Sequence, residues 1–201
     1  MVEPKARLSV RSLFVVTTGL FWLSVLGLAV GLPVGIASTL ASDHPMSIHA
    51  TVSAEQVGGL AAEIGSGERV SLSLPIDHLS AGQIVLFHAV IALAGIVVLY
   101  ALWQLRQLVG SIRANDPFST ANVRRLRVLG WLLLLAYPSF QYVMGGVSEW
   151  ILSTGAPSVP SARVDADPFS LGAAFGGLCL LVLAEVFAHG IRLRKDVEAT
   201  I

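Results

Sequence analysis

Four stretches of the chain are almost purely apolar, and the charged residues are gathered between them. Residues 12–42 contain no charged side chain, and the apolar part over 12–36 exceeds the roughly 20 residues needed to cross a bilayer. Residues 84–105 and 128–147 form a second and a third uncharged run, and 169–190 a fourth, interrupted by Glu185. An acidic residue at mid-helix costs about 3 kcal/mol on the insertion scale, and each Leu, Val or Phe around it returns roughly 0.3–0.6 kcal/mol, so the fourth run still inserts. Lipid offers no water to backbone amides, and spans of this length must therefore be helices. The expected fold class is an all-α membrane protein with four transmembrane helices, a four-helix bundle forming a single integral membrane domain over 1–201.

The connections carry their own patterns. The outer loop over 43–83 is too long for a mere turn. Ile48, Ala50 and Val52 alternate with polar residues, as do Val70, Leu72, Leu74 and Ile76, and period two predicts strands. Val57, Leu60 and Ile64 at helical spacing predict a short helix between them, making a small strand-helix-strand cap. Pro75 restricts the second strand to an edge. The second outer loop, 148–168, is rich in proline and reads as irregular. In the 106–127 connection, Asn115, Asp116 and Pro117 predict a turn, and Ser119 or Thr120 caps a helix that runs directly into the third span.

Charge placement sets the expected topology. All Lys and Arg residues except Arg69 and Arg163 fall in the amino-terminal segment, the 106–127 loop and the 191–201 tail, which puts both termini in the cytoplasm by the positive-inside rule. The expected location is the bacterial cytoplasmic (inner) membrane. Trp103, Trp131 and Trp150 fall at span ends as interfacial indoles should, whereas Trp22 lies within a span and reads as a packing residue. The first run has a basic start and small residues after it, but it is longer than the 7–15 residues of a cleavable signal core, and it is read as a span.

Composition agrees with this class. The chain has 201 residues, 54% hydrophobic and 13% charged, and 13 basic residues balance 13 acidic ones. A soluble domain carries about 25% charged residues. With no net positive field there is no basis for direct nucleic-acid binding. The one cysteine, Cys179, excludes an intramolecular disulfide and reads as a buried apolar residue.

The chemistry-bearing residues are few. Asp43, His44, His49, Asp77, His78 and His88 are ligand types for a divalent ion, but their spacing matches no metal motif, and the preferred reading is ordinary loop polarity with no cofactor. Gly65-Ser66-Gly67 lacks the third glycine of a dinucleotide fingerprint, and no phosphate loop, HExxH or GxSxG occurs. The protein is therefore read as a non-enzyme. Gly27, Gly31 and Gly35, like Gly172 and Gly176, form small-residue ridges for close helix contact, either inside one bundle, the preferred use, or in a homodimer. Pro33 is expected to kink the first span. Glu185 is expected to pair with His189 and Arg192 on its own helix face, the alternative being a proton relay. Arg124, Arg125 and Arg127 are placed to meet anionic headgroups or a cytoplasmic protein.

Two motifs carry a family resemblance. One is Asp116-Pro117-Phe118 with Asn122, Arg125, Leu126 and Gly130, and the other is Ala184-Glu185-Val186-Phe187 with Gly190, Leu193, Asp196 and the terminal Thr200-Ile201. Together they resemble the uncharacterised YoaS-like bacterial membrane proteins with four spans. Members tend to end in an acidic residue followed closely by a Leu-Thr-Ile type tail, whereas Val197, Glu198 and Ala199 intervene here. The resemblance implies an integral membrane protein of unestablished activity, often encoded beside a small helix-turn-helix regulator of the Cro/C1 type. On that basis the expected function is a membrane-bound regulator or sensor that recruits such a regulator through Phe118, Asn122, Arg125, Glu185 and Arg192. The competing classes are a small transporter or channel subunit using Glu185 and His189, and a structural membrane protein without a ligand.

Overall fold

Long uncharged runs become long helices. The structure, a computed structural model, describes residues 4–41, 46–53, 69–76, 79–114, 118–155 and 170–198. The first helix, α1, is Pro4–Ala41 and stays helical through Pro33. Strands β1 (Met46–Ser53) and β2 (Arg69–Ile76) follow, then α2 (Ala81–Arg113), α3 (Thr120–Trp131), a π-helical turn (Leu132–Ala136), α4 (Tyr137–Gly155) and α5 (Leu171–Glu198). α3, the π turn and α4 make one continuous helical rod, so four helices are long and apolar enough to cross a membrane. The chain is a multi-pass membrane protein on these grounds. Each helix overruns its apolar core: α2 continues two turns past the uncharged run to Arg113, and α4 extends to Gly155, into the connection expected to be irregular.

The alternating segments pair as an antiparallel hairpin in the register Met46↔Ile76 to Ser53↔Arg69, with Pro75 opposite Ser47. With only two strands both are edges, which is where proline is tolerated. The helix expected over 57–64 lies outside the described residues, as do Asp43, His44, Asp77 and His78.

The chain divides into two units. The first comprises Met1–Ala29, Ala94–Pro138 and Phe169–Ile201. Its core is Val123, Leu126 and Ala184, with Leu108, Leu180, Phe187, Ala188 and Ile191 packed around them. Lipid supplies no hydrophobic drive between helices, so contact there depends on close fit. That fit is set where α3 meets α5 at glycines: a Cβ built on Gly130 would lie 2.9 Å from the Gly177 carbonyl oxygen, and the converse distance is also 2.9 Å. A Cβ on Gly176, picked out by its spacing, would make an ordinary contact with Leu133, and one on Gly172 would meet Ser170 just ahead of its own helix. The π turn directly precedes Tyr137-Pro138. Pro138 offers no N–H to the Leu134 carbonyl, and one wide turn is how a helix absorbs that loss.

The second unit comprises Val30–Leu93 and Ser139–Pro168. Ser80 and Gln83 form a capping box at the start of α2: the Ser80 N–H donates to Gln83 Oε1 at 2.9 Å, and the Gln83 N–H donates to Ser80 Oγ at 3.3 Å. Gln83 Nε2 also donates to Thr154 Oγ1 at 2.6 Å, joining α2 to the end of α4. His88 is buried, its Nδ1 2.8 Å from the Ile84 carbonyl oxygen, and its ring lies against Gly35. In contrast with Gly35, a Cβ on Gly27 or Gly31 would meet nothing within 4 Å among the described residues.

Apolar side chains face outward along every span, among them Val15, Leu26, Leu93, Phe175 and Val182. Such a surface needs lipid around it. Trp22 is part of it: it is 60% exposed, its ring edge-on to Phe21, because the outside of α1 is lipid-facing and has no protein to pack against. Cys179 is likewise exposed rather than buried, for the same reason on α5.

Candidate functional site

The connection between α2 and α3 is short, and its geometry is set by the residues the sequence motif contains. Ser119 is the N-cap of α3, with extended backbone and its hydroxyl accepting from the Asn122 N–H at 3.4 Å. This leaves the Asn122 side chain pointing inward at the first turn of the helix. Asn122 is fully buried, and its Nδ2 donates to Ser111 Oγ on the last turns of α2. Ser111 in turn donates to the Leu108 carbonyl oxygen at 2.7 Å, and Arg125 Nη1 donates to Asn122 Oδ1 at 2.8 Å. A chain of four groups thus clamps the end of α2 to the start of α3. Burying an amide is costly unless it is bonded, and here both its ends are.

Phe118 sits just before this clamp. Its ring lies 5.1 Å from that of Phe187 on α5, tilted by 32°, and its edge fits against Gly190, where a Cβ would come within 3.6 Å. Only its inner face is covered: Phe118 is 49% exposed. Two residues of the carboxy-terminal motif, Phe187 and Gly190, therefore form the seat for one residue of the loop motif. Their association joins the two halves of the resemblance in space.

Glu185 takes a different partner from the one expected. Arg127 Nη2 donates to Glu185 Oε1 at 2.8 Å, an α3-to-α5 pair with side chains 49% and 63% exposed. The local ladder through His189 and Arg192 assumed that the nearest charges along one helix would win. α3 packs so closely on α5 that a cross-helix guanidinium reaches the carboxylate instead. Arg192 is exposed at the end of α5.

Of the expected docking residues, the structure gathers Phe118, Asn122 and Arg125 into one cluster. Phe118 presents a surface, Arg125 is half-buried, and Asn122 is interior, a residue that holds the loop rather than one a partner touches. Ser111 and Gly177 were not singled out from sequence, and Phe187 and Gly130 entered only as residues of the two motifs. A second cluster was also missed: Phe14 of α1 lies beneath Arg106 and Arg113 of α2, whose Cζ atoms are 5.7 and 5.5 Å from its ring centroid. Among the described residues no three His, Cys, Asp or Glu side chains come together as a metal site, and the ligand types of the outer loop, His88 aside, have no described side chains.

No curated protein and no solved structure matches the chain. A family model described as "Protein of unknown function (DUF2975)" matches residues 68–201, a stretch that runs from β2 through the clamp, the Phe118 seat and the Arg127–Glu185 pair to the carboxy terminus. This match covers more than half of the chain, and the chain belongs to that family.

Proposed function

We propose that the protein is a non-enzymatic regulator of the bacterial cytoplasmic membrane, of the YoaS-like kind, with both termini in the cytoplasm. In this reading the outer hairpin and the spans respond to an envelope condition. The surface around Phe118 and the end of α5 recruit or release a helix-turn-helix regulator of the Cro/C1 type, and the membrane protein itself does not touch DNA. The observation that carries the reading is Phe118: a half-exposed aromatic ring seated on Phe187, just ahead of the buried Asn122 clamp that includes Arg125, with Arg192 exposed on α5. Aromatic and arginine side chains on a rigid base are what protein interfaces favour at their energetic centres. A membrane-facing role alone requires no clamp.

The test is affinity purification of the full chain from native membranes, probed for a Cro/C1-type regulator. The regulator should co-purify with the wild type and be lost with Phe118→Ala and with Arg192→Glu. Arg125→Glu should also lose it, in part through the clamp. Retention by all three variants would rule out this surface, and absence of the regulator from the wild-type preparation would rule out the partner.

A further inference from the structure

Arg106, Gly110 and Arg113 stand at i, i+4 and i+7 on α2 and therefore share one face of that helix. Phe14 of α1 rests on this face. A Cβ on Gly110 would lie 3.9 Å from Phe14 Cε2, so the glycine lets the ring approach α2, and the Cζ atoms of Arg106 and Arg113 lie 5.7 and 5.5 Å from the ring centroid. Two guanidinium groups thus share one ring by cation–π contact, which does not use up the donors of their N–H edges. Those edges have no hydrogen-bond acceptor or carboxylate among the described residues, in contrast to Arg125 with Asn122 and Arg127 with Glu185. Arg11 lies one turn before Phe14 and is exposed. Cations drawn together repel one another, and an anion between them offsets that repulsion.

We propose that Phe14, Arg106 and Arg113 form a binding site for the phosphate of an anionic phospholipid headgroup. A guanidinium fork donates two parallel N–H bonds to phosphate oxygens, and two forks held at one ring match a single tetrahedral anion. The surroundings select a lipid over free phosphate. Leu13, Val15 and Val16, next to Phe14 on α1, and Ile112, next to Arg113, are all exposed apolar side chains, a surface that acyl chains cover and a soluble ion cannot.

Native mass spectrometry of the full chain in detergent, with equal phosphatidylglycerol and phosphatidylcholine added, reads this directly. The wild type should retain phosphatidylglycerol preferentially. Arg106→Gln and Arg113→Gln should each weaken that retention about fivefold. Phe14→Leu, which keeps every charge, should weaken it as well, because the guanidiniums lose the plane that orients them, and Arg194→Gln should leave it unchanged. Should either glutamine variant not fold, Arg106→Lys with Arg113→Lys keeps the charge, removes the forks and should show the same direction of loss. Unaltered retention in the Arg106 and Arg113 variants would overturn the site. Unaltered retention in Phe14→Leu would reduce it to a diffuse basic belt. Displacement of the lipid by millimolar inorganic phosphate would assign the cluster to the free ion and overturn the lipid reading.

Discussion

Gly130 and Gly177 meet backbone to backbone, each close enough that a methyl group on one would press within 2.9 Å of the carbonyl oxygen of the other. The Leu181 and Leu134 side chains beside them can adjust, but a main-chain carbonyl cannot withdraw without moving a helix. Gly177→Ala and Gly130→Ala should therefore each destabilise the protein by about 1–3 kcal/mol despite the better helix propensity of alanine. Gly176→Ala, facing Leu133 at an ordinary 3.7 Å, should change little. Gly27→Ala and Gly31→Ala, with open space around them, should be neutral or slightly stabilising in the isolated chain. Unfolding of the five variants in mixed micelles by denaturing detergent checks the ranking.

The Asn122 clamp makes a prediction of coupling as well as of loss. Asn122→Ala removes the partner of a half-buried guanidinium and of a hydroxyl, and should cost about 1–3 kcal/mol. Ser111→Ala should cost less, because the Ser111 hydroxyl is an intermediate in the chain rather than its hub. A double-mutant cycle between the two should show a coupling of about 1 kcal/mol, and strict additivity would mean that the bond is not formed in the micelle.

The Arg127–Glu185 pair is half-exposed at both ends, and its contribution is correspondingly discounted. Glu185→Gln should lower stability by no more than about 1 kcal/mol, and the charge swap Arg127→Glu with Glu185→Arg should recover most of the loss. Reconstituted vesicles separate this role from ion movement: under the pairing described here, Glu185→Gln leaves proton permeability at the wild-type level.

In the second unit, Thr154→Val should weaken the tie from Gln83 by about 1 kcal/mol while leaving the capping box of α2 intact. Ser80→Ala removes the cap itself and should cost about the same. Hydrogen exchange at the first turn of α2 distinguishes them, since only Ser80→Ala should accelerate it.

What could be read from sequence and what could not follows from the range of each interaction. Uncharged runs of 20 residues or more mark spans because lipid selects on length and polarity alone, and period-two alternation marks β1 and β2 because side chains of a strand alternate by geometry. Ser119 as a cap is equally local. Rotation of one helix against another is not local, and so the spacing of Gly172 and Gly176 pointed one residue away from the true crossing at Gly177. The π turn before Pro138 adds to that difficulty, because it alters the rotation of everything beyond it without changing the pattern of apolar residues. The same reasoning explains Glu185. Its own helix offered His189 and Arg192, and nothing short of the α3–α5 packing reveals Arg127 as the partner. Phe14 over Gly110 is visible only once α1 and α2 are side by side.

The account rests on four crossings that place the α2–α3 connection and the end of α4 on opposite faces of the membrane. With Cys179→Ala as background, Arg124→Cys and Ser153→Cys can be probed in whole cells with a membrane-impermeant maleimide. The prediction is that Ser153→Cys labels in intact cells once the outer membrane is permeable, while Arg124→Cys labels only after the inner membrane is opened. Labelling of both positions from the same side would contradict the topology and, with it, the assignment of Phe118 to a surface that a cytoplasmic regulator can reach.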